Sequence, residues 1–150
     1  MPRLGEGEDW LAPTPSRALA LPLARCDSYS LQPQEAALSI LTLAFDGEAA
    51  DASFVVVGTA FTRPDEPEPT SGRLLIFSVT ERTLELKHEL STAGAVYALE
   101  AFNGKLLAGV NNKLQLYEWM PCARAPRLQL RHEHCGHILV LYVQVHRHSQ

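Results

Sequence analysis

"GAVYALEAFNGKLLAGVNNKLQLYEW", residues 94–119, holds three short runs and two turns. Asn103-Gly104 separates the first two runs, and a type I′ hairpin turn needs positive φ at both central positions, which Asn and Gly tolerate best. Asn111-Asn112 separates the second and third, because Asn enters the left-handed region more readily than most residues. "KLQLYEW" alternates apolar and polar side chains, as a strand with one wet face does. The stretch reads as an antiparallel meander, not as a helix.

Working outward, "RLQLRHE" (127–133) supplies a fourth run. The same order stands upstream in "ALSILTLAF" (37–45), "SFVVVGTAF" (53–61), "GRLLIFSV" (72–79) and "TLELKHEL" (83–90). Each second run carries a glycine near its end, Gly58 and Gly109. "FVVVG" and "HILVLYV" are nearly continuous apolar runs, so both faces are expected to be covered; "TLELKHEL" and "RLQLRHE" alternate and should keep one face wet. Four antiparallel strands recurring about every 40 residues mark propeller blades. A ninth run, "GHILVLYV" (136–143), would open a third cycle. The fold class is therefore all-β, a partial β-propeller of four-stranded antiparallel blades. Rings typically close with about 4 to 8 blades, so the chain is expected to be part of a larger ring; a nine-stranded sandwich is the alternative. Residues 1–25 read as a divergent, poorly ordered segment, 26–144 as two blades plus one strand, and 145–150 as a divergent tail.

Composition bounds the function. Of 150 residues, 46% are hydrophobic and 20% charged, the balance of a globular chain. Thirteen basic against 17 acidic residues and a pI near 5.8 leave no footprint for gripping phosphate backbones. Cys26, Cys122 and Cys135 are an odd number without disulfide-framework spacing, which suits a reducing compartment. No apolar run approaches the ~18 residues of a membrane helix. "RALALPLARC" has a faint signal-core character, but acidic residues precede it and Pro22 interrupts it. A soluble intracellular chain is expected, with no membrane partner.

The first cycle is the longer one, and the excess falls largely in "PDEPEP", residues 64–69. Asp65, Glu66 and Glu68 place three acids there, against a net charge of −4 for the chain. Proline fixes φ and removes donors, so the insert stays extended rather than joining a sheet. Such a loop is either a solvated connection or a docking surface. "RHEHCGH" (131–137) offers His132, His134, Cys135 and His137 as metal ligands, but the spacing lacks the paired pattern of zinc sites. It reads as a surface strand end with a buried Cys, and no metal or cofactor is expected. There is no nucleophile elbow and no phosphate loop, so no catalytic residue is assigned. Trp10 and Trp119 lack basic neighbours and read as packing residues rather than base-stacking ones.

"VVVGTAF", "RPDEPEPTSGRLLIFSV", "GAVYALEAFNGKLLAGVNNKLQLYEW" and "HCGHILVLYVQ" closely resemble one family. It unites the large subunit of damage-specific DNA-binding protein, the large subunit of the cleavage and polyadenylation specificity factor, and a splicing-factor subunit. The likeness covers roughly Cys26 to Gln144, and "FNGKLLAGVN" followed by "LYEW" favours the damage-binding branch. Residues 1–24 and the end after Gln144 depart from the family pattern. The resemblance implies three seven-bladed propellers with this segment in the third, and no catalytic centre or cofactor. It implies an adaptor of a cullin-RING ubiquitin ligase, in the nucleus and also the cytoplasm, serving DNA repair. Two propellers would grip WD-repeat substrate receptors while the other holds the cullin; nucleic acid would be met only indirectly. By position, Glu66 and Glu68 are similar to rim-loop carboxylates that meet a receptor arginine, for which a bidentate guanidinium is suited. Tyr97, Asn111, Leu139 and Leu141 match receptor-facing positions, against readings as a core aromatic, a turn residue and blade packing. The alternative is a nucleic-acid-binding subunit of a pre-mRNA cleavage, polyadenylation or splicing complex.

Overall fold

A computed structural model describes residues 27–122 and 124–146. Expectations for residues 1–25, and for Trp10 and Cys26, lie outside the described residues. Eight strands form two antiparallel sheets, and no helix occurs among the described residues. The first sheet takes β1 (Glu35–Leu43), β2 (Phe54–Phe61), β3 (Gly72–Thr80) and β4 (Thr83–Thr92) in that order. The second takes β5 (Val96–Phe102), β6 (Lys105–Val110), β7 (Lys113–Met120) and β8 (Arg127–Cys135). These are two blades of a β-propeller.

The turns form as their residues dictate. Asn103 and Gly104 both take positive φ, 47° and 69°, which closes the β5–β6 hairpin as a type I′ turn. In the next turn only Asn111 is left-handed, at 49°.

The repeat extends to the bulges. Leu38 is the unpaired extra residue of β1, between the pairs Ala37↔Thr59 and Ser39↔Gly58. Tyr97 is its counterpart in β5, between Val96↔Val110 and Ala98↔Gly109. Lys87 in β4 and Arg131 in β8 are skipped in the same way, opposite β3 and β7. A bulge bends and over-twists its strand, so matching bulges give both blades the same curvature.

Between the sheets lies one core, built from Leu43, Phe45, Phe54, Val56, Leu74 and Ile76 on one side and Val96, Leu99, Leu106, Ala108, Val110, Tyr117 and Trp119 on the other. Phe45 stacks on Trp119 with ring centroids 5.0 Å apart. Gly58 makes the close approach possible: a Cβ there would sit 2.5 Å from Val96 Cγ1. Burial of Trp119 to 3% exposure bears out its reading as a packing residue.

Three expectations change. "GHILVLYV" does not form a ninth strand among the described residues. Yet Val140 sits on Gly109 as Val96 sits on Gly58, with Val140 Cγ1 2.8 Å from where a Cβ would be. The segment occupies an inner-strand position, but none of the described strands pairs with it. Cys135 is exposed, not buried, because it ends the outermost strand with no element packed over it among the described residues. For the same reason β8 is wet on both faces apart from Leu128 and does not keep one dry side.

The excess length of the first cycle is not largely in the acidic loop: a second insertion, residues 44–53, lies at the opposite rim and is as long as the β2–β3 connection. It reaches the second blade: Asp46 N donates to Gly104 O at 3.0 Å, and Trp119 Nε1 donates to Glu48 Oε1 at 2.6 Å. Asp46-Gly47 is a turn dipeptide, with Gly47 at a φ of 85°, but nothing in the strand pattern marks the stretch as a clasp.

Candidate functional site

At the rim holding the acidic loop lie the start of β1, the ends of β2 and β6, and the start of β5. The loop is closed at its base by Phe61 N donating to Ser71 O (2.9 Å) and Thr62 N donating to Gln34 O (2.8 Å). Inside it, Glu66 accepts from Thr70 Oγ1 at 3.2 and 3.3 Å and pairs with Arg63 at 3.3 Å. Glu66 is thus half-buried and locally engaged. Glu68 is half-buried too, with no hydrogen-bond or ion-pair partner among the described residues. It is the carboxylate better placed to receive an incoming cation.

Asn111 stands where three segments meet. Its Oδ1 accepts from Ala95 N at 2.7 Å and its Nδ2 donates to Pro69 O at 3.0 Å. Its backbone N donates to Ala95 O, and its backbone O accepts from Val140 N at 2.7 Å. The structure therefore gathers the acidic loop, Asn111 and the 137–142 segment at one rim. In that segment Ile138 (80% exposed), Leu141 (61%), Tyr142 (75%) and Leu139 (39%) stand open to solvent. Lone exposed apolar residues are ordinary, whereas four within five positions, 138, 139, 141 and 142, form an exposed apolar cluster.

Tyr97 makes none of the junction's hydrogen bonds but lies beside it, half-buried at the β5 bulge next to the Val96↔Val110 pair. Because Val140 repeats the seat of Val96, Leu141 holds in the third cycle the place that Tyr97 holds in the second. Leu38, 41% exposed, holds it in the first. Leu38 was missed by sequence reasoning; counting backward from Tyr97 through the repeat would have reached it had the bulge been legible.

Beneath the rim, a buried polar network fixes the blade. Arg73 Nε donates to Glu35 Oε1 (2.8 Å) and Nη2 to Glu35 Oε2 (2.5 Å), while Nη1 meets Glu89 at 3.0 Å. Thr59 Oγ1 donates to Glu35 at 2.6 Å. Desolvation pushes the Glu35 carboxyl up, but hydrogen bonds from Arg73, Thr59 and Gln32 N outweigh it and hold it below its ordinary range. The Arg73 guanidinium is held charged, chiefly by its hydrogen bonds to Glu35. With every partner satisfied, this is a structural network rather than acid–base machinery.

His132, His134, Cys135 and His137 do not converge, and no three His, Cys, Asp or Glu side chains form a metal-holding group among the described residues. A cleft of about 470 Å³ lies between β4 and the end of β7, with Phe54 and Trp119 among its lining residues.

The fold and the rim together define a class: propeller blades presenting a mixed acidic and apolar surface at one rim. The chain belongs to the CPSF A subunit region family, whose pattern it matches over residues 20–147. It is 50% identical over 118 residues to DNA damage-binding protein 1b of Arabidopsis thaliana and 48% identical to protein 1a of that plant. DNA damage-binding protein 1 of Solanum lycopersicum is 45% identical over 119 residues. Each comparison covers 78% of this chain but 11% of the relative, so the chain spans a small part of their length.

Proposed function

We propose that the chain is a propeller segment of a non-catalytic adaptor of the damage-binding type, holding substrate receptors for a cullin-RING ubiquitin ligase. The observation that carries this reading is the convergence of the acidic loop, Asn111 and the exposed 137–142 segment at one rim. Kinship with DNA damage-binding protein 1 supports it. Glu68, with Glu66 beside it, offers carboxylates to a receptor arginine; Leu139, Leu141, Tyr97 and Leu38 offer apolar contact; Asn111 lies at the centre. A WD-repeat receptor fits this surface through a basic side chain at the loop and apolar ones beside it. The setting is nuclear, with a cytoplasmic pool, and the process is DNA repair and protein turnover; nucleic acid is met only through the assembly.

The test is the Glu66→Lys/Glu68→Lys pair in a full-length family member carrying this segment. Receptor affinity is expected to fall by roughly tenfold, largely through slower association, with cullin binding retained. Unchanged receptor affinity would sink the reading.

A second reading, a subunit working on pre-mRNA, is favoured by the family pattern itself, which takes its name from the CPSF A subunit. Net charge of −4 argues against it. Salt-dependent binding of RNA to the chain would reverse the order of the two.

A further inference from the structure

We propose that the Asn111 carboxamide is a positioning group that locks the acidic loop to the second blade, so that the loop and the 137–142 segment meet a partner as one surface. This role rests on the docking surface proposed above. Loop and segment belong to different cycles of the repeat and share no strand. Asn111 joins them, with its Nδ2 on Pro69 O and its backbone O on Val140 N. The loop's other hydrogen bonds stay within itself or the first blade: Arg63 and Thr70 to Glu66, Phe61 to Ser71, Thr62 to Gln34. Among the described residues, Pro69 is where these bonds reach the second blade.

The residue type is specific to the task. Asn tolerates a φ of 49°, and its short amide offers an acceptor and a donor at once. Aspartate keeps the acceptor for Ala95 N but turns oxygen toward Pro69 O. Gly94 completes the device, since a Cβ there would stand 2.5 Å from Asn111 Cγ. Its φ of 153° is itself one that side chains rarely adopt.

Hydrogen exchange read by mass spectrometry on the full chain tests the inference. Asn111→Asp is expected to speed exchange of the loop amides of Asp65, Glu66, Glu68 and Thr70, of which Glu66 N is bonded to Arg63 O, by about tenfold, with β2 and β6 at wild-type rates. Gly94→Ala, which pushes the amide away, should do the same. Loop exchange unchanged in both variants overturns the proposal; so does equal acceleration in β2 and β6, which would make Asn111 a general stabiliser. Glu68→Lys separates the two readings. It should leave loop exchange alone, and wild-type capture of a WD-repeat receptor by it would sink the docking reading while loop exchange still decides the role of Asn111.

Discussion

Arg73 and Glu35 show what single residues contribute. Breaking a buried pair by removing one partner strands a desolvated charge, at about 3–5 kcal/mol, so Arg73→Ala should unfold in much less denaturant than the wild type. The pair also sets an acid limit. Glu35 is held below the ordinary 4.5, so its contribution is complete above that value and is lost as pH falls through the lowered one. His88 acts earlier. Its Nε2 is buried without a partner beside Trp119, and desolvation holds it below 6.5 against the opposing pull of Glu89. The folded chain keeps it neutral while the unfolded chain takes up a proton, so stability declines as pH drops below 6.5. Denaturation midpoints between pH 7 and pH 3 should therefore fall in two stages; His88→Leu should flatten the first, and Glu35→Gln the second. A profile unchanged by either substitution would contradict these assignments. Little of this was legible. Arg73 and Glu35 lie 38 positions apart, and nothing in a strand pattern pairs them. By contrast, the left-handed Asn103 and Asn111 were readable, because their turn chemistry is local.

At the scale of the element, the alternation and turn residues located all eight strands to within about two residues. The sheet order followed, since each strand pairs with its neighbour in sequence. Bulges were not readable, because the skipped residues, Leu38, Tyr97, Lys87 and Arg131, have no side chain in common. The status of 136–143 was not readable either, because an apolar run specifies a strand only where a partner strand pairs with it. Gly58 and Gly109 offer a paired test at this scale. A Cβ at Gly58 would fall 2.4 Å from Ser39 Oγ and 2.5 Å from Val96 Cγ1, inside the core between blades. Overpacking of that kind costs about 1–3 kcal/mol, so Gly58→Ala should lower global stability. At Gly109 the three nearest atoms to a Cβ all belong to Val140, the carbonyl at 2.7 Å, so Gly109→Ala should dislodge 137–142 while the two blades hold. Nuclear magnetic resonance of the Val140 and Val96 methyls would report each outcome. Equal global destabilisation by both would contradict the view that the segment is seated on the second blade without being built into it.

The two insertions of the first cycle set the behaviour of the whole. Residues 44–53 bind the second blade at one rim, through Asp46 and Glu48, and the acidic loop binds it at the other through Pro69. The loop's charge was legible from sequence; its tether was not, since Asn111 lies 42 positions away. Faces remain open as well. An apolar groove of about 350 Å³, lined by Tyr29, Ile40, Val57 and Phe77 among others, covers one face of the first sheet. In the function proposed above, the equivalent inner-strand positions Leu38, Tyr97 and Leu141 form a receptor surface with the acidic rim. Its most direct test is a calorimetric titration of a WD-repeat receptor into a full-length family member carrying this segment, with Leu38→Asp, Tyr97→Ala and Leu141→Asp combined. Loss of hot-spot contacts worth ~2 kcal/mol predicts an affinity weaker by about thirtyfold or more, with cullin binding unchanged; an affinity equal to wild type would contradict the claim.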